Sequence, residues 1–267
     1  MPKPHKLTLA DLISLRGKRA LITGGASGIG KAIAHRFAEA GADIDLVDLN
    51  ASAMPHAKED LSTHGTTIRT HAVDLSQKEE IDALWDALSG SEPDILVNNA
   101  GIYPFKKFLD ADEAFSRNVM EINLFSVYWM CQRMIRQRGK RGGVIINVGS
   151  IEAILPFKED LAHYSVSKAG VIALTRSLAK EYAKRGFRVN ALVPGGILTQ
   201  GTKNAAKKAL AFNFDLMKSG IDFSQRLPAG RLGKPDEIAR MALVLASDLS
   251  SYMHGAAVPV DGGFLSA

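Results

Sequence analysis

One stretch near the start of the chain, Leu21-Ile22-Thr23-Gly24-Gly25-Ala26-Ser27-Gly28-Ile29-Gly30, decides the fold. It begins as a short apolar run typical of a buried strand, and the residues after it, from about Lys31, have the spacing of a helix. Glycines at positions 24, 28 and 30 let the backbone turn tightly between the two elements and approach a ligand closely. Because free N–H groups at a helix N-terminus attract a pyrophosphate, the stretch predicts a dinucleotide-binding turn.

Short apolar runs recur along the rest of the chain and alternate with segments of helical spacing. Each run is rich in Val or Ile and is too short to form a helix. The predicted strands are Arg19–Ile22, Ile44–Val47, Thr67–Val73, Ile95–Val97, Val144–Val148, Arg188–Val193 and Ala257–Val260. Strands that alternate with helices form a parallel sheet covered on both faces. We therefore expect an α/β fold, a single-domain, Rossmann-like, doubly wound parallel sheet of about seven strands with helices on both faces.

The length of 267 residues is compatible with one domain. We expect an N-terminal extension at residues 1–14 and a dinucleotide-binding domain at residues 15–267. Residues 200–229 break the alternation, since they place apolar side chains between two polar ends. They follow the carboxyl end of a strand, where open α/β sheets bind ligands. The segment is interpreted as a small helical lid over the substrate, and the alternative is an insertion packed on the core.

The composition is that of an ordinary globular protein, with 46% hydrophobic and 23% charged residues. No apolar run reaches the roughly 18 residues of a membrane span, so no membrane association is expected. The net charge of +5 is spread along the chain, so no nucleic-acid partner is expected. The single cysteine, Cys131, cannot form an internal disulfide, which favours the cytoplasm. The histidines lack metal-ligand spacing, so no metal is expected.

Two acidic residues that follow predicted strands are candidate cofactor ligands. Asp48 can accept hydrogen bonds from the ribose hydroxyls of an adenosine. It also disfavours a 2′-phosphate, because two unit charges about 4 Å apart repel by about 4 kcal/mol at an effective dielectric near 20. The sequence therefore predicts NAD as the cofactor. Asp74 is compatible with two roles, as an acceptor for the adenine amino group or as the N-cap of the next helix.

Tyr164 and Lys168 lie on one face of a predicted helix, because they are four residues apart in a segment of helical apolar spacing. A phenol has a pKa near 10, and a drop of roughly 2–3 units makes it a base near neutral pH. One ammonium about 4 Å away supplies roughly that drop in a shielded cleft. The pair predicts proton transfer by Tyr164, although the same spacing also occurs in ordinary amphipathic helices.

Together these residues resemble the short-chain dehydrogenase/reductase family, from about Leu15 to Gly263. The matching elements are Thr23–Gly30, Asn98-Asn99-Ala100-Gly101, Asn123, Ser150, the Tyr164 and Lys168 pair, Pro194-Gly195 and Val260-Asp261-Gly262-Gly263. The resemblance implies an oxidoreductase that transfers a hydride between nicotinamide and a secondary alcohol or ketone carbon. It also implies a homotetramer.

The resemblance assigns roles to four catalytic residues. Tyr164 is the general acid/base, Lys168 lowers its pKa and holds the nicotinamide ribose, Ser150 binds the substrate oxygen, and Asn123 anchors a water. The expected cofactor-binding residues are Gly24, Ser27, Gly28, Ile29, Gly30, Asp48, Asp74, Leu75, Asn99, Ala100, Gly101, Tyr164, Lys168, Pro194, Gly195, Ile197 and Thr199. Ser150 and Tyr164 are one residue further apart than is usual in the family, so the loop between them must accommodate an extra residue.

The substrate is expected to contact Tyr103–Phe108, Ile151–His163 and the 200–229 segment. Aromatic and aliphatic side chains there favour an apolar or cyclic substrate, whereas Glu152 and His163 favour hydroxyl groups. The candidate substrate contacts are Ser150, Glu152, Phe157 and Tyr164. Three alternatives stay open: a 3-oxoacyl-thioester reductase, a sugar or polyol dehydrogenase, and, more remotely, a dinucleotide-binding regulator without catalytic activity.

Overall fold

The structure is a computed structural model that describes residues 7–199 and 226–267, so most of the predicted lid lies outside the described residues. The described helices are α1 (Leu9–Ile13), α2 (Gly28–Glu39), α3 (Met54–Ser62), α4 (Lys78–Ala87), α5 (Glu113–Met120), α6 (Ser126–Arg138), α7 (Ala162–Tyr182) and α8 (Pro235–Ala246). The strands are β1 (Arg19–Thr23), β2 (Asp43–Asp48), β3 (Ile68–Ala72), β4 (Ile95–Asn98), β5 (Gly143–Val148), β6 (Phe187–Pro194) and β7 (Ala257–Val260).

All seven strands belong to one parallel sheet with the order β3-β2-β1-β4-β5-β6-β7. This confirms the sheet predicted from the apolar runs, and each predicted strand end lies within one residue of the observed one. The order changes direction between β1 and β4. In open α/β sheets, the carboxyl ends of the strands at such a point flank a ligand-binding crevice.

The sheet is buried on both faces, which explains why its strands read as continuous apolar runs. Successive residues of a strand point to opposite faces. In β1, Ile22 joins a core formed with α2, α3 and α8, whereas Leu21 joins a second core formed with α4, α6 and α7. The doubly wound architecture is therefore confirmed.

Helix α2 begins at Gly28, three residues earlier than the apolar spacing indicated. Its end agrees with the sequence, since Gly41 follows the C-cap Ala40 with φ +96°, the left-handed conformation expected of a C′ glycine. At the N-terminus, α1 buries no residue, whereas Leu15 is only 2% exposed and belongs to the core. Among the described helices, none combines the length and apolarity needed to cross a membrane.

Candidate active site

A cleft of about 410 Å³ lies at the carboxyl ends of β1, β2, β3 and β4. Its volume is within the range of small-molecule and cofactor sites. The residues that line it are Gly24, Ser27, Gly28, Ile29, Asp48, Leu49, Val73, Asp74, Leu75, Ser76, Asn99, Ala100, Gly101, Ile102, Ile122 and Thr199. The structure therefore brings most of the predicted cofactor residues, from five separate segments, to one surface.

The glycine turn packs so closely that side chains are excluded from part of it. A Cβ atom on Gly30 would lie 2.1 Å from the Gly24 carbonyl oxygen and 2.6 Å from Asn99 Nδ2. Asn99 Nδ2 donates hydrogen bonds to the carbonyl oxygens of Thr23 and Gly24, at 3.0 and 3.2 Å. The turn after β1 is thus fastened to the turn after β4.

The N-terminus of α2 opens into the cleft without a side-chain cap, because Ser27 occupies the N-cap position but makes no capping hydrogen bond. The first N–H groups of a helix have no partner within the helix, and together with the helix dipole they favour an anion. Gly28 adopts φ +54° at this point and also lines the cleft. These backbone groups fit the pyrophosphate of a dinucleotide.

Asp48 is held in place at the cleft by two backbone groups. Its Oδ2 accepts a hydrogen bond from Ala26 N and its Oδ1 accepts one from Asn50 N, both at 3.0 Å. Each carboxylate oxygen keeps a further lone pair for a ligand hydroxyl. Among the described residues, neither Lys nor Arg lines the cleft, so no cation faces Asp48 there. This environment suits ribose hydroxyls better than a phosphate.

Asp74 lines the cleft but does not cap α4. Its Oδ1 accepts hydrogen bonds from the backbone N and the hydroxyl of Ser76, at 2.9 and 2.8 Å. The residue before α4 is Gln77, so the N-cap interpretation of Asp74 is wrong. Leu75 is 8% exposed and also lines the cleft.

The end of β4 is fixed by buried polar side chains, of which the sequence analysis named Asn98 but not Asn147 or Thr175. Asn98 Nδ2 donates to Asn147 Oδ1 at 2.8 Å, and Asn147 Nδ2 donates to Thr175 Oγ1 at 2.9 Å. Cys131 also contacts Asn98, and burial raises the pKa of its thiol to about 12. These contacts join β4, β5, α6 and α7 and orient the turn that begins at Asn99.

Lys168 lies next to Gly101, which lines the cleft, but neither Lys168 nor Tyr164 lines it in the part of the chain that the structure describes. A Cβ on Gly101 would be 3.4 Å from Lys168 Nζ. Lys168 is only 4% exposed, and its ammonium donates a hydrogen bond to the Val148 carbonyl at 2.9 Å. Burial lowers the pKa of Lys168 to about 8.

Tyr164 is partly buried, and its ring packs edge-to-face on Tyr103 with the centroids 4.7 Å apart. Burial, together with a smaller effect of the Glu152 charge, raises the pKa of the Tyr164 hydroxyl to about 12, although the contact with the Ser150 hydroxyl acts in the opposite direction. Burial therefore has the largest effect on this pKa, and Lys168 Nζ lies 6.0 Å from the ring centroid and donates its hydrogen bond to Val148. The lowering of the Tyr164 pKa by Lys168 stays a prediction.

Ser150 begins the 3₁₀ turn Ile151–Ala153, and its Oγ accepts a hydrogen bond from Glu152 N at 3.2 Å. The same hydroxyl contacts the Tyr164 oxygen. The extra residue in the loop between them therefore does not separate the two hydroxyl groups.

Asn123 lies in a π-helical turn, Glu121–Phe125, between α5 and α6. Such turns occur frequently at functional sites. Its Oδ1 accepts from Ile102 N at 2.8 Å, and its Nδ2 donates to Ile102 O at 2.9 Å and to Ser167 Oγ at 3.2 Å. The side chain thus holds the segment after Gly101, and its role in a water relay stays a prediction.

The predicted substrate contacts lie in different environments. Glu152 is 1% exposed, its Oε2 accepts from Phe157 N at 3.3 Å, and its Oε1 has no hydrogen-bond partner among the described residues. Burial raises the pKa of Glu152. The ring of Phe157 packs on Phe264 with the centroids 4.7 Å apart. His163 Nε2 lies 3.1 Å from the Pro104 carbonyl oxygen, and its ring packs edge-to-face on Phe115.

The predicted residues after β6 divide into two groups. Thr199 lines the cleft. Pro194 ends β6, Gly195 donates its N–H to Val260 O, and Ile197 is 6% exposed beside a separate cavity of about 70 Å³. These three do not line the cleft in the part of the chain that the structure describes.

Some cleft residues were not predicted. Leu49, Val73 and Ser76 are sequence neighbours of predicted contacts, so proximity to Asp48 and Asp74 was a usable signal. Ile122 is likewise the neighbour of the predicted Asn123, and it reaches the cleft through the π-helical turn. A search of the described residues finds no group of three or more His, Cys, Asp or Glu side chains placed to hold a metal ion.

Comparison with known proteins places this geometry in a family. A family model described as enoyl-(acyl carrier protein) reductase matches residues 24–265. A 3-oxoacyl-[acyl-carrier-protein] reductase from Chlamydia pneumoniae is 40% identical over 94% of this chain and 98% of its own. A 2-dehydro-3-deoxy-D-gluconate 5-dehydrogenase from Bacillus subtilis is 38% identical over 97% and 98%.

A solved structure agrees with the sequence relatives. The L-sorbose reductase from Gluconobacter frateurii, in complex with NADPH and L-sorbose, superimposes with a TM-score of 0.88 at 32% identity, over 96% of this chain and 99% of that one. The chain therefore belongs to the short-chain dehydrogenase/reductase family and is an oxidoreductase.

Proposed function

We propose that the protein is an NAD-dependent oxidoreductase that interconverts a secondary alcohol and a ketone. One observation carries the proposal: Lys168 lies against Gly101 in the wall of the glycine-lined cleft, and the helix that carries Lys168 also carries Tyr164. The cleft has the shape and backbone groups for a dinucleotide, and the helix adds a phenol for proton transfer. When bound, NAD supplies the nicotinamide that takes or gives the hydride.

The cofactor contacts follow from the cleft. The N-terminus of α2, with Gly28 and Ile29, would hold the pyrophosphate, and Asp48 would accept from the adenosine ribose hydroxyls. Asp74 and Leu75 would border the adenine, and Lys168 would reach the nicotinamide ribose. The choice of NAD rests on Asp48 and on the absence of cations among the described cleft residues, although the related L-sorbose reductase was solved with NADPH.

Tyr164 would transfer the proton that accompanies the hydride. Because burial raises its pKa to about 12, the hydroxyl is protonated at neutral pH. It can therefore give its proton to a carbonyl oxygen while the carbonyl carbon receives the hydride. In the reverse reaction, the phenolate takes the proton from the alcohol. Ser150, hydrogen-bonded to Tyr164, would bind the same substrate oxygen.

We also propose that the protein is a homotetramer in the cytoplasm. The exposed apolar side chains Phe108 (73% exposed) and Leu109 (94% exposed), just before α5, support burial against another subunit. Val166 on α7 is 61% exposed and supports a second apolar contact. Light scattering that gives the mass of a single chain would contradict this assembly.

A second candidate function is reduction of a 3-oxoacyl thioester. The 40% identity to the reductase of Chlamydia pneumoniae favours it. Glu152 Oε1, which is buried and has no hydrogen-bond partner within residues 7–199 and 226–267, favours a hydroxyl-bearing substrate instead, because a buried carboxylate oxygen gains from a hydroxyl donor. The 38% identity to the 2-dehydro-3-deoxy-D-gluconate 5-dehydrogenase from Bacillus subtilis also favours a hydroxyl-bearing substrate.

The experiment that tests the proposal is a substrate screen with NAD⁺, NADP⁺ and their reduced forms. The panel contains secondary alcohols, sugars and their acids, and 3-oxoacyl thioesters. Faster turnover with NAD⁺ on any alcohol supports the proposal, and preference for NADP⁺ contradicts the interpretation of Asp48. If no compound reacts with either cofactor, the protein is better explained as a dinucleotide-binding regulator.

A further inference from the structure

Lys158 is an ammonium surrounded by aromatic rings next to Tyr164. Its Nζ lies 5.9 Å from the ring centroid of Tyr103, 5.5 Å from that of Phe105 and 5.8 Å from that of Phe157. The ring of Tyr103 in turn packs on Tyr164. Lys158 forms no ion pair within 4.0 Å among the described residues. A partly buried cation of this kind gains from an anionic partner, because the rings replace only part of its hydration.

Glu152 is a second charged group near Tyr164. It is 1% exposed, and among the described residues its Oε1 has no hydrogen-bond partner. Its charge raises the pKa of both Tyr103 and Tyr164, so the carboxylate lies near these two residues. It also interacts electrostatically with Lys158, but the two do not form an ion pair within 4.0 Å. A cation and a hydrogen-bond acceptor therefore lie near Tyr164 without pairing with each other.

The loop that carries Lys158 is fixed by its backbone. Asp160 has φ +64° and, among the described residues, is the only non-glycine residue in the left-handed region. Such strain persists where the surrounding structure holds it and often marks a functional segment. Here the Asp160 carbonyl accepts a hydrogen bond from Lys106 N at 3.0 Å, which joins this loop to the segment containing Tyr103 and Phe105. The loop therefore holds Lys158 in a defined position beside these rings.

We propose that Lys158 and Glu152 select a hydroxy acid or oxo acid as the substrate. Lys158 binds the carboxylate, Glu152 accepts a hydrogen bond from a hydroxyl of the same molecule, and the reacting carbon lies at Tyr164. A single ammonium matches the single charge of a carboxylate and forms a charge-assisted hydrogen bond with it. The inference rests on the proposed oxidoreductase function and names the substrate class of that same site.

The test compares substrates that differ in the carboxylate. The pair is D-gluconate and D-glucitol, with the corresponding oxo compounds for the reverse reaction, and other acid and alcohol pairs are added from the same screen. The wild-type protein is expected to have the higher kcat/KM on the acid of a pair. Turnover of uncharged alcohols in preference to the acids overturns the inference but leaves the proposed function intact. If neither kind reacts with either cofactor, the proposed function fails as well.

Substitutions of Lys158 test whether this residue causes the preference for the acid. Lys158→Gln is expected to raise the KM for the acid about tenfold or more, the effect of losing a hydrogen bond to a charged group, and to leave kcat within about twofold. The KM for the uncharged partner and the affinity for NADH are expected to stay unchanged, and Lys158→Arg is expected to restore most of the preference. Lys184→Gln, an exposed lysine in the turn after α7, is the matched control. Equal losses on both substrates, or no loss, overturn the assignment.

Discussion

The site consists of two regions that are built in different ways. In the backbone region, Gly24–Gly30 and Asn98–Gly101, main-chain groups and small residues form the surface, and two turns lock together. In the side-chain region, Ser150–Lys168, the functional groups are a phenol, a carboxylate and two ammonium groups. Burial shifts the pKa of each of them. The first region is defined by where side chains are excluded, and the second by which side chains are present. Binding of the cofactor and the chemistry of the substrate should therefore respond to different substitutions.

The largest expected effect on cofactor binding is that of Gly30→Ala in the backbone region. The new Cβ would lie 2.1 Å from the Gly24 carbonyl oxygen, so the turn must shift. Overpacking of this kind costs about 1–3 kcal/mol of stability. We expect NADH binding to weaken about a hundredfold, or about 2.7 kcal/mol, in a fluorescence titration.

Gly65→Ala is the control for Gly30→Ala. Gly65 has φ +73° but no atom within 4 Å of an added Cβ, so this change introduces backbone strain without a clash at the cleft. Its NADH affinity should equal that of the wild type, with a lower melting temperature. Wild-type NADH affinity in Gly30→Ala would contradict the close packing of the turn.

The next effect concerns the pH dependence of the side-chain region. The pKa of Tyr164, raised to about 12, leaves the hydroxyl protonated at neutral pH. Ketone reduction, which needs the phenol, is expected to be independent of pH between pH 6 and 7.5. Alcohol oxidation, which needs the phenolate, is expected to rise by about tenfold per pH unit over the same range.

The measurement is kcat/KM in both directions between pH 6 and 7.5. Below pH 8, Lys168 keeps most of its charge, since its pKa is about 8. Oxidation that does not change with pH, or that falls as the pH rises, would show that Tyr164 is not the group that titrates.

The smallest expected effect is that of Asp48→Asn on the choice of cofactor. Removal of the charge takes away the repulsion of a 2′-phosphate, so the ratio of kcat/KM for NADP⁺ to that for NAD⁺ should rise about tenfold. Asp43→Asn, at the opposite end of β2, is the control and should leave the ratio unchanged. A wild-type enzyme that prefers NADP⁺ would contradict the role given to Asp48.

The backbone region could be predicted from the sequence because its determinants are local. The apolar runs specified all seven strands, and the glycine spacing placed the turn before α2. Asp48 and Asp74 could be located because each follows directly from a strand. Parallel strands bring their carboxyl ends to one edge of the sheet, so a position along the chain indicates a position in the site.

The side-chain region could be predicted only in part, because its properties depend on tertiary packing. Tyr164 and Lys168 were found from their spacing, but the direction of the Tyr164 pKa depends on burial that the sequence does not reveal. Lys158 was missed, since the rings around it come from two loops that meet only in the fold. The π-helical turn that brings Ile122 to the cleft also has no clear pattern in the sequence.

The proton-transfer role of Tyr164 is tested most directly by the turnover of Tyr164→Phe, measured together with its affinity for NADH. We expect kcat to fall by about 10²- to 10⁴-fold, the usual contribution of a general acid/base, whereas the dissociation constant for NADH stays within about twofold. Tyr128→Phe, an exposed tyrosine on α6, should behave as the wild type. Turnover of Tyr164→Phe within about tenfold of the wild-type value would show that Tyr164 does not transfer the proton.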